Sequence, residues 1–179
     1  MRTVWTDSQG KEHKQVGPLS LIVSSFATVT DARKDVTPDL KPGFSRLMLI
    51  DLGNGKNRLG ASALAQVYNQ IGDTVPDMES AEAVRACYDA MQELVERGLV
   101  AAYHDRSDGG VAVTLAEMAM SGGRGVAVNL TGDNALAALY NGELGAVFSK
   151  HGVEQSVLCV SLFPMEYFQP ILQYTERKD

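Results

Sequence analysis

Cysteine is almost missing from this chain: two occur in 179 residues, Cys87 and Cys159, with no metal-ligand spacing between them. That excludes a disulfide framework and leaves reduced, structural thiols, as expected of a cytoplasmic protein. Long apolar runs are missing too. The most apolar one, residues 19–27, is far shorter than the roughly 20 residues of a membrane span. The opening Met1-Arg2-Thr3-Val4-Trp5-Thr6-Asp7 has no apolar core of a signal peptide. Positive charge is scarce: 16 Lys and Arg stand against 22 Asp and Glu, a net charge of −6. With no long basic run, a broad nucleic-acid footprint is not expected. Neither a membrane nor a nucleic acid is an expected partner. Repeats and low-complexity segments are absent as well. At 45% hydrophobic residues the chain can bury a core. Its length suits one domain, or one domain plus a piece of another.

Hydrophobic patterning divides what remains. Residues 1–15 are polar, with a hairpin turn expected near Ser8-Gln9-Gly10. Residues 18–30 are β-branched and partly alternating, which reads as a strand. Residues 31–43 carry two prolines and a glycine without clean periodicity, a candidate boundary. A strand over 46–52 leads into a glycine-rich loop over 53–59, then a helix over 60–71 stopped at Gly72. The clearest helix is 79–97. There Val84, Cys87, Tyr88, Met91, Leu94 and Val95 recur at three- and four-residue steps. Strand 99–104, helix 111–121, strand 126–130, helix 134–140 and strand 145–148 follow. This order predicts an α+β layered domain with helices against a mixed sheet, a doubly wound parallel arrangement being the alternative.

Two segments carry candidate chemistry. Gly53-Asn54-Gly55-Lys56-Asn57-Arg58-Leu59-Gly60 looks like a phosphate loop, but Lys56 is followed by Asn57 rather than Ser or Thr, and position 58 holds Arg58 where the dinucleotide fingerprint needs glycine. It reads as a ligand loop or as a tight glycine-closed connection. Tyr103-His104-Asp105-Arg106-Ser107-Asp108-Gly109-Gly110 lies between a strand and a helix, where α/β sheets place ligand chemistry. Asp105 at the strand end suits Mg²⁺, which takes one or two carboxylates and shares its shell with phosphate and water. Ser107 can donate to a phosphate oxygen, and Gly109 and Gly110 expose backbone N–H groups at the helix start. Asp108 is expected as the helix N-cap. The competing reading is an Asp/Ser/Gly turn that caps a helix. Alternation sets His104 opposite Asp105, so a packed or hydrogen-bonded ring is expected rather than a general base. Glu117 reads as a solvated or paired carboxylate, and Met91, Met118 and Met120 as core.

The run Leu49-Ile50-Asp51-Leu52-Gly53, Gly55-Lys56-Asn57-Arg58-Leu59-Gly60-Ala61-Ser62-Ala63-Leu64-Ala65-Gln66-Val67, followed by His104-Asp105-Arg106-Ser107-Asp108-Gly109-Gly110 and Leu115-Ala116-Glu117-Met118-Ala119, closely resembles the large, single-chain phosphoribosylformylglycinamidine synthases. Met1-Arg2-Thr3 with Trp5, Pro18-Leu19-Ser20-Leu21 and Val36-Thr37-Pro38-Asp39-Leu40 resemble that family too, so the likeness runs over roughly residues 1–148. The resemblance implies a glutamine- and ATP-dependent ligase of de novo purine biosynthesis. It makes formylglycinamidine ribonucleotide from formylglycinamide ribonucleotide through an iminophosphate that ammonia displaces. It implies a three-layer α/β/α, partly ferredoxin-like fold of the aminoimidazole ribonucleotide synthetase C-terminal type over 44–148. Residues 1–43 would be terminal strands of a preceding subdomain and 149–179 a divergent tail, truncated or frameshifted. By the same resemblance Asp105 is a magnesium ligand and Ser107 touches an ATP or ADP nucleotide. Neither cysteine is catalytic, and no residue here is assigned a catalytic role. The remaining subdomains of the synthetase are the implied protein partners, and the isolated chain is expected to be inactive. Gly142 departs from the family's usual glutamate. A non-catalytic assembly fragment and a stand-alone Mg-nucleotide module are the alternatives.

Overall fold

The computed structural model describes residues 2–17, 21–42, 45–129, 134–151 and 158–159. The expected strand residues 18–20, Leu130 and nearly all of the 149–179 tail lie outside them. Contacts divide the chain into two compact units, Met1–Ala32 and Arg33–Asp179.

In the first unit the expected hairpin forms. Strands β1 (Arg2–Thr6) and β2 (Glu12–Val16) pair antiparallel, with Thr6 opposite Glu12. Asp7 closes the turn: its Oδ1 accepts from the Gln9 and Lys11 backbone N–H groups at 2.9 and 3.0 Å. Its Oδ2 lies 2.7 Å from His13 Nε2, and the His13 ring stacks on Trp5. The strand expected over 18–30 does not form in its described part, residues 21–30. Leu21, Ile22 and Phe26 are 86, 91 and 96% exposed. An extended apolar segment becomes a strand only when a neighbour takes its backbone groups and one of its faces. No strand among the described residues does so here.

The second unit contains, in chain order, β3 (Ser45–Asp51), α1 (Ala63–Val67), α2 (Ala81–Glu96), β4 (Ala102–Asp105), α3 (Gly110–Gly122), β5 (Val128–Asn129), α4 (Ala135–Tyr140), β6 (Gly145–His151) and β7 (Leu158–Cys159). β6 lies between β3 and β4 and is antiparallel to both. β5 and β7 form a separate parallel pair. The central sheet is therefore antiparallel rather than mixed, and the doubly wound alternative does not apply.

Alternation along the strands builds two cores. Leu47, Leu49, Ala102 and Val147 face Val111, Leu115 and Met118 of α3. Met48, Ile50 and Phe148, with the half-buried Tyr103, face Met91 and Leu94 of α2. A helix on each face of one sheet gives the three-layer α/β/α arrangement. Ser80 starts α2 by accepting from the Ala83 N–H at 3.1 Å, as a short polar residue before an apolar period should. The helix expected over 60–71 shrinks to α1. Ala61 and Asn69 leave the right-handed helical region at φ 55 and 54°, and the Gly60 and Ala61 N–H groups donate to Thr74 O and Ile71 O at 2.7 and 2.6 Å. Val67, Tyr68 and Ile71 stay exposed, so no buried face holds a longer helix. Among the described residues no helix is long and apolar enough to cross a membrane.

Candidate functional site

The two segments singled out by sequence meet at one end of the central sheet, joined by buried ion pairs. Arg106 is the anchor of the 103–110 turn. Its side chain is 1% exposed and donates through Nη2 to Asp51 Oδ1 at 2.8 Å and to Leu144 O at 2.7 Å, and through Nε to Glu143 O. Gly145 makes room for it. A Cβ there would collide with Ile50 O and stand 3.2 Å from the Arg106 guanidinium. Asp51, ending β3, also accepts from the Gly53 and Gly55 N–H groups at 3.2 and 2.7 Å.

The glycine-rich loop thus turns its backbone donors onto a carboxylate of its own chain. Arg58 does the same on the other side. Its backbone N–H and Nε donate to Glu143 Oε1 at 3.0 and 2.7 Å, and Nη2 reaches Oε2 at 2.7 Å. Glu143 is 1% exposed. Burial by itself would raise its pKa, but the Arg58 donors and the charges of Arg58 and Arg106 outweigh that and hold it below the usual carboxylate range. Glu79, at the foot of α2, bridges Arg58 at 2.8 Å and Lys56 at 2.6 Å. Three cations and three carboxylates therefore offset one another around this loop. Between a phosphate loop and a structural connection, these contacts fit the connection.

What stays open lies one residue either side of Arg106. Asp105 ends β4 with its side chain 74% exposed. Ser107 is half-buried in the next turn. The expected cap Asp108 does not cap α3. Gly109, at φ 93°, takes the N-cap position, and no side chain bonds to the first turn. A left-handed residue there lets the chain enter the helix directly, leaving Asp108 exposed. Gly110 donates its N–H to Ser107 O at 2.9 Å, closing the turn. Its φ is +68°, and a Cβ would stand 2.5 Å from Leu139 O, so glycine is needed for close packing on α4. Asn141 ties the end of α4 to the glycine-rich loop, donating from Nδ2 to Ala137 O at 2.7 Å and to Asn57 Oδ1 at 3.0 Å.

His104 points to the other face of β4. Its Nε2 is 3.0 Å from Glu117 Oε2 on α3, and its Nδ1 is 2.7 Å from Asp105 O. This is the hydrogen-bonded ring expected from alternation, and Glu117 is its partner. Sequence reading did not find the pairings of Asp51, Arg58, Arg106 and Glu143. The available signal was four charges of balanced sign, two of each.

Magnesium fits Asp105 in one way only. Among the described residues no group of three His, Cys, Asp or Glu could hold a metal. One exposed carboxylate beside a hydroxyl suits an ion whose other ligands are phosphate and water, not a cage made wholly of protein.

A family model described as AIR synthase related protein, C-terminal domain, matches residues 46–158. This chain belongs to that family. AIR synthase related domains occur in purine biosynthesis and in related ATP-using enzymes. The matched stretch holds the whole ion-pair network together with Asp105, Ser107, Gly109 and Gly110.

Between α2 and the sheet lies an apolar cleft of about 470 Å³. Leu52, Val84, Cys87, Met91, Tyr103 and Ala146 line it. The Cys87 thiol is half-buried, which raises its pKa. Tyr103 is raised too, by burial first and then by the nearby Cys87 and Asp105.

Proposed function

We propose that this chain is part of a phosphoribosylformylglycinamidine synthase, the cytoplasmic glutamine- and ATP-dependent ligase that amidates formylglycinamide ribonucleotide. Its Asp105–Ser107 turn would contribute to a Mg-nucleotide site. The observation that carries the reading is the exposed Asp105 carboxylate beside the uncapped first turn of α3, on a turn pinned by the buried Arg106. Asp105 would hold Mg²⁺, and Ser107 and the Gly109 backbone would face the nucleotide phosphates, where the ion neutralises their charge, while the Gly110 N–H, bonded to Ser107 O, shapes the turn. Rigid anchoring of Arg106 supplies the fixed geometry such a site needs. Resemblance of the 49–67 and 103–119 motifs to that synthase supports the specific activity, and family membership supports the ATP-using class.

A thermal-unfolding scan tests this. Mg-ADP raises the midpoint of the chain by mass action, and Asp105→Asn abolishes the rise. A rise equal in both proteins would place the nucleotide elsewhere.

A second reading has an observation of its own. In the first unit every described residue is exposed or only half-buried, and the apolar side chains of 21–29 face outward. Such a surface favours a non-catalytic assembly role, docking on the remaining subdomains of the synthetase.

A further inference from the structure

Two Asn-Gly pairs occur in this chain, Asn54-Gly55 and Asn141-Gly142. Such a pair is chemically fragile, because glycine has no side chain to shield its backbone nitrogen from the asparagine amide. By sequence the two are equivalent. Their surroundings in the fold are opposite.

Asn54 and Gly55 form the tip of the glycine-rich loop. Their φ angles are 53 and 71°, and the Lys56 N–H donates to Gly53 O at 3.2 Å across them. Two successive left-handed residues closed by that bond follow the pattern of a type I′ turn, which asparagine and glycine enter at least cost. The turn thus needs the pair whose chemistry is fragile. Asn54, Gly55 and Lys56 are all exposed, and no atom stands within 4 Å of where a Gly55 Cβ would lie. Water and hydroxide reach both reacting groups.

Asn141 is buried instead. Its Nδ2 donates to Asn57 Oδ1, Ala137 O and Ala138 O at 3.0, 2.7 and 3.1 Å, and its Oδ1 accepts from the Glu143 N–H at 3.2 Å. Its amide cannot swing toward the Gly142 nitrogen without breaking these bonds.

We propose that Asn54 is a site of spontaneous deamidation and that Asn141 is spared. The Gly55 nitrogen loses its proton to hydroxide and attacks Asn54 Cγ. A Cγ–N bond forms, the Cγ–Nδ2 bond breaks, and Nδ2 leaves as ammonia with a proton from water, closing a succinimide ring. Water opens the ring at either carbonyl, giving aspartate or isoaspartate, with nothing oxidised or reduced.

The consequence reaches Asp51. Its Oδ2 now accepts from the Gly55 N–H at 2.7 Å, while its Oδ1 takes the Gly53 N–H and Arg106 Nη2. The succinimide removes the Gly55 N–H altogether. Isoaspartate restores it but lengthens the loop backbone by one carbon, so it no longer aims at Oδ2. Either ring-opened product also adds a negative charge to the loop that wraps Asp51. Deamidation is therefore a slow, one-way loosening of the carboxylate that anchors Arg106.

Peptide mapping by mass spectrometry tests this on the full chain, incubated folded in mildly alkaline buffer and, in parallel, unfolded in urea. In urea both asparagines convert at similar rates. In the folded chain Asn54 converts, more slowly than in urea because Asp51 holds the Gly55 N–H. Asn141 trails it by about tenfold or more, since it reacts only from the minor population of locally opened molecules. The isoaspartate form, separated by ion exchange, unfolds about 3–12 °C lower than fresh protein, the loss of one hydrogen bond to a carboxylate. Asn54→Gly keeps a left-handed turn without an amide, and its midpoint does not fall on the same incubation. Equal rates at the two sites in the folded chain, or an intact Asn54 once the urea sample has converted, would overturn the assignment of the site. An isoaspartate form with an unchanged midpoint, or an equal fall in Asn54→Gly, would overturn the link to Asp51.

Discussion

Asp51→Asn is the sharpest perturbation of this structure. Arg106 and Asp51 face each other at 2.8 Å with side chains 1 and 4% exposed, so neither charge is shared with water. Removing one charge leaves the other buried and uncompensated, which costs about 3–5 kcal/mol in comparable pairs. The asparagine amide would also turn a donor toward the Gly53 or Gly55 N–H, both of which now donate to the carboxylate. For a chain of this size each kcal/mol lowers the unfolding midpoint by roughly 2–4 °C, so a loss of about 6–20 °C is expected. Differential scanning calorimetry measures it directly. The loss persists in 1 M NaCl, because salt screens exposed charges far more than buried ones. In a double-mutant cycle with Arg106→Met the coupling is about 1–3 kcal/mol. A midpoint within 2 °C of the wild type, or a loss that vanishes in salt, would mean that water reaches the pair and that the network does not anchor the turn.

Glu143 gives a pH prediction. Its folded pKa lies below the ordinary value of 4.5, so its contribution is complete above that value and is lost as pH falls through the lower folded value. Acid titration of the unfolding midpoint therefore shows a steep limb below about pH 4.5, which Glu143→Gln flattens; an unchanged limb would assign the acid sensitivity elsewhere. Glycine substitution separates strain from clash. Gly98→Ala meets only the backbone cost of φ +66°, about 1–2 kcal/mol. Gly110→Ala adds the collision with Leu139 O and costs distinctly more by chemical denaturation, so equal losses would contradict the close α3–α4 contact.

Much of the second unit was legible because its signals are local. The apolar run of β3 and the apolar period of α2 each need only a few neighbouring residues. The failures share a cause. Residues 21–30 have strand composition, but a strand also requires a neighbour that composition does not supply. Helix propensity ran through 60–71, but Ala61 and Asn69 take left-handed backbone angles. Asp108 has the chemistry of a cap, yet Gly109 could adopt a backbone angle that other residues avoid. At the candidate site the placing of Asp105, Ser107 and the glycines between a strand and a helix was legible from residue type and position. Their support was not, because Arg58 meets Glu143 across 85 residues and Arg106 meets Asp51 across 55. The glycine-rich loop looked like a phosphate loop for the same reason: a cation among glycines does not reveal which anion it will meet.

Those same separations set an order of events. The loop over 53–60 closes on Glu143, and the turn over 103–110 closes on Asp51 through Arg106. Each closure must first overcome the entropy of a long intervening chain. During synthesis Arg58 therefore has Glu79 for a partner well before Glu143, 85 residues along the chain, has emerged. β6 is the sheet partner of both β3 and β4, so the central sheet and the candidate site close together when β6 pairs with the two.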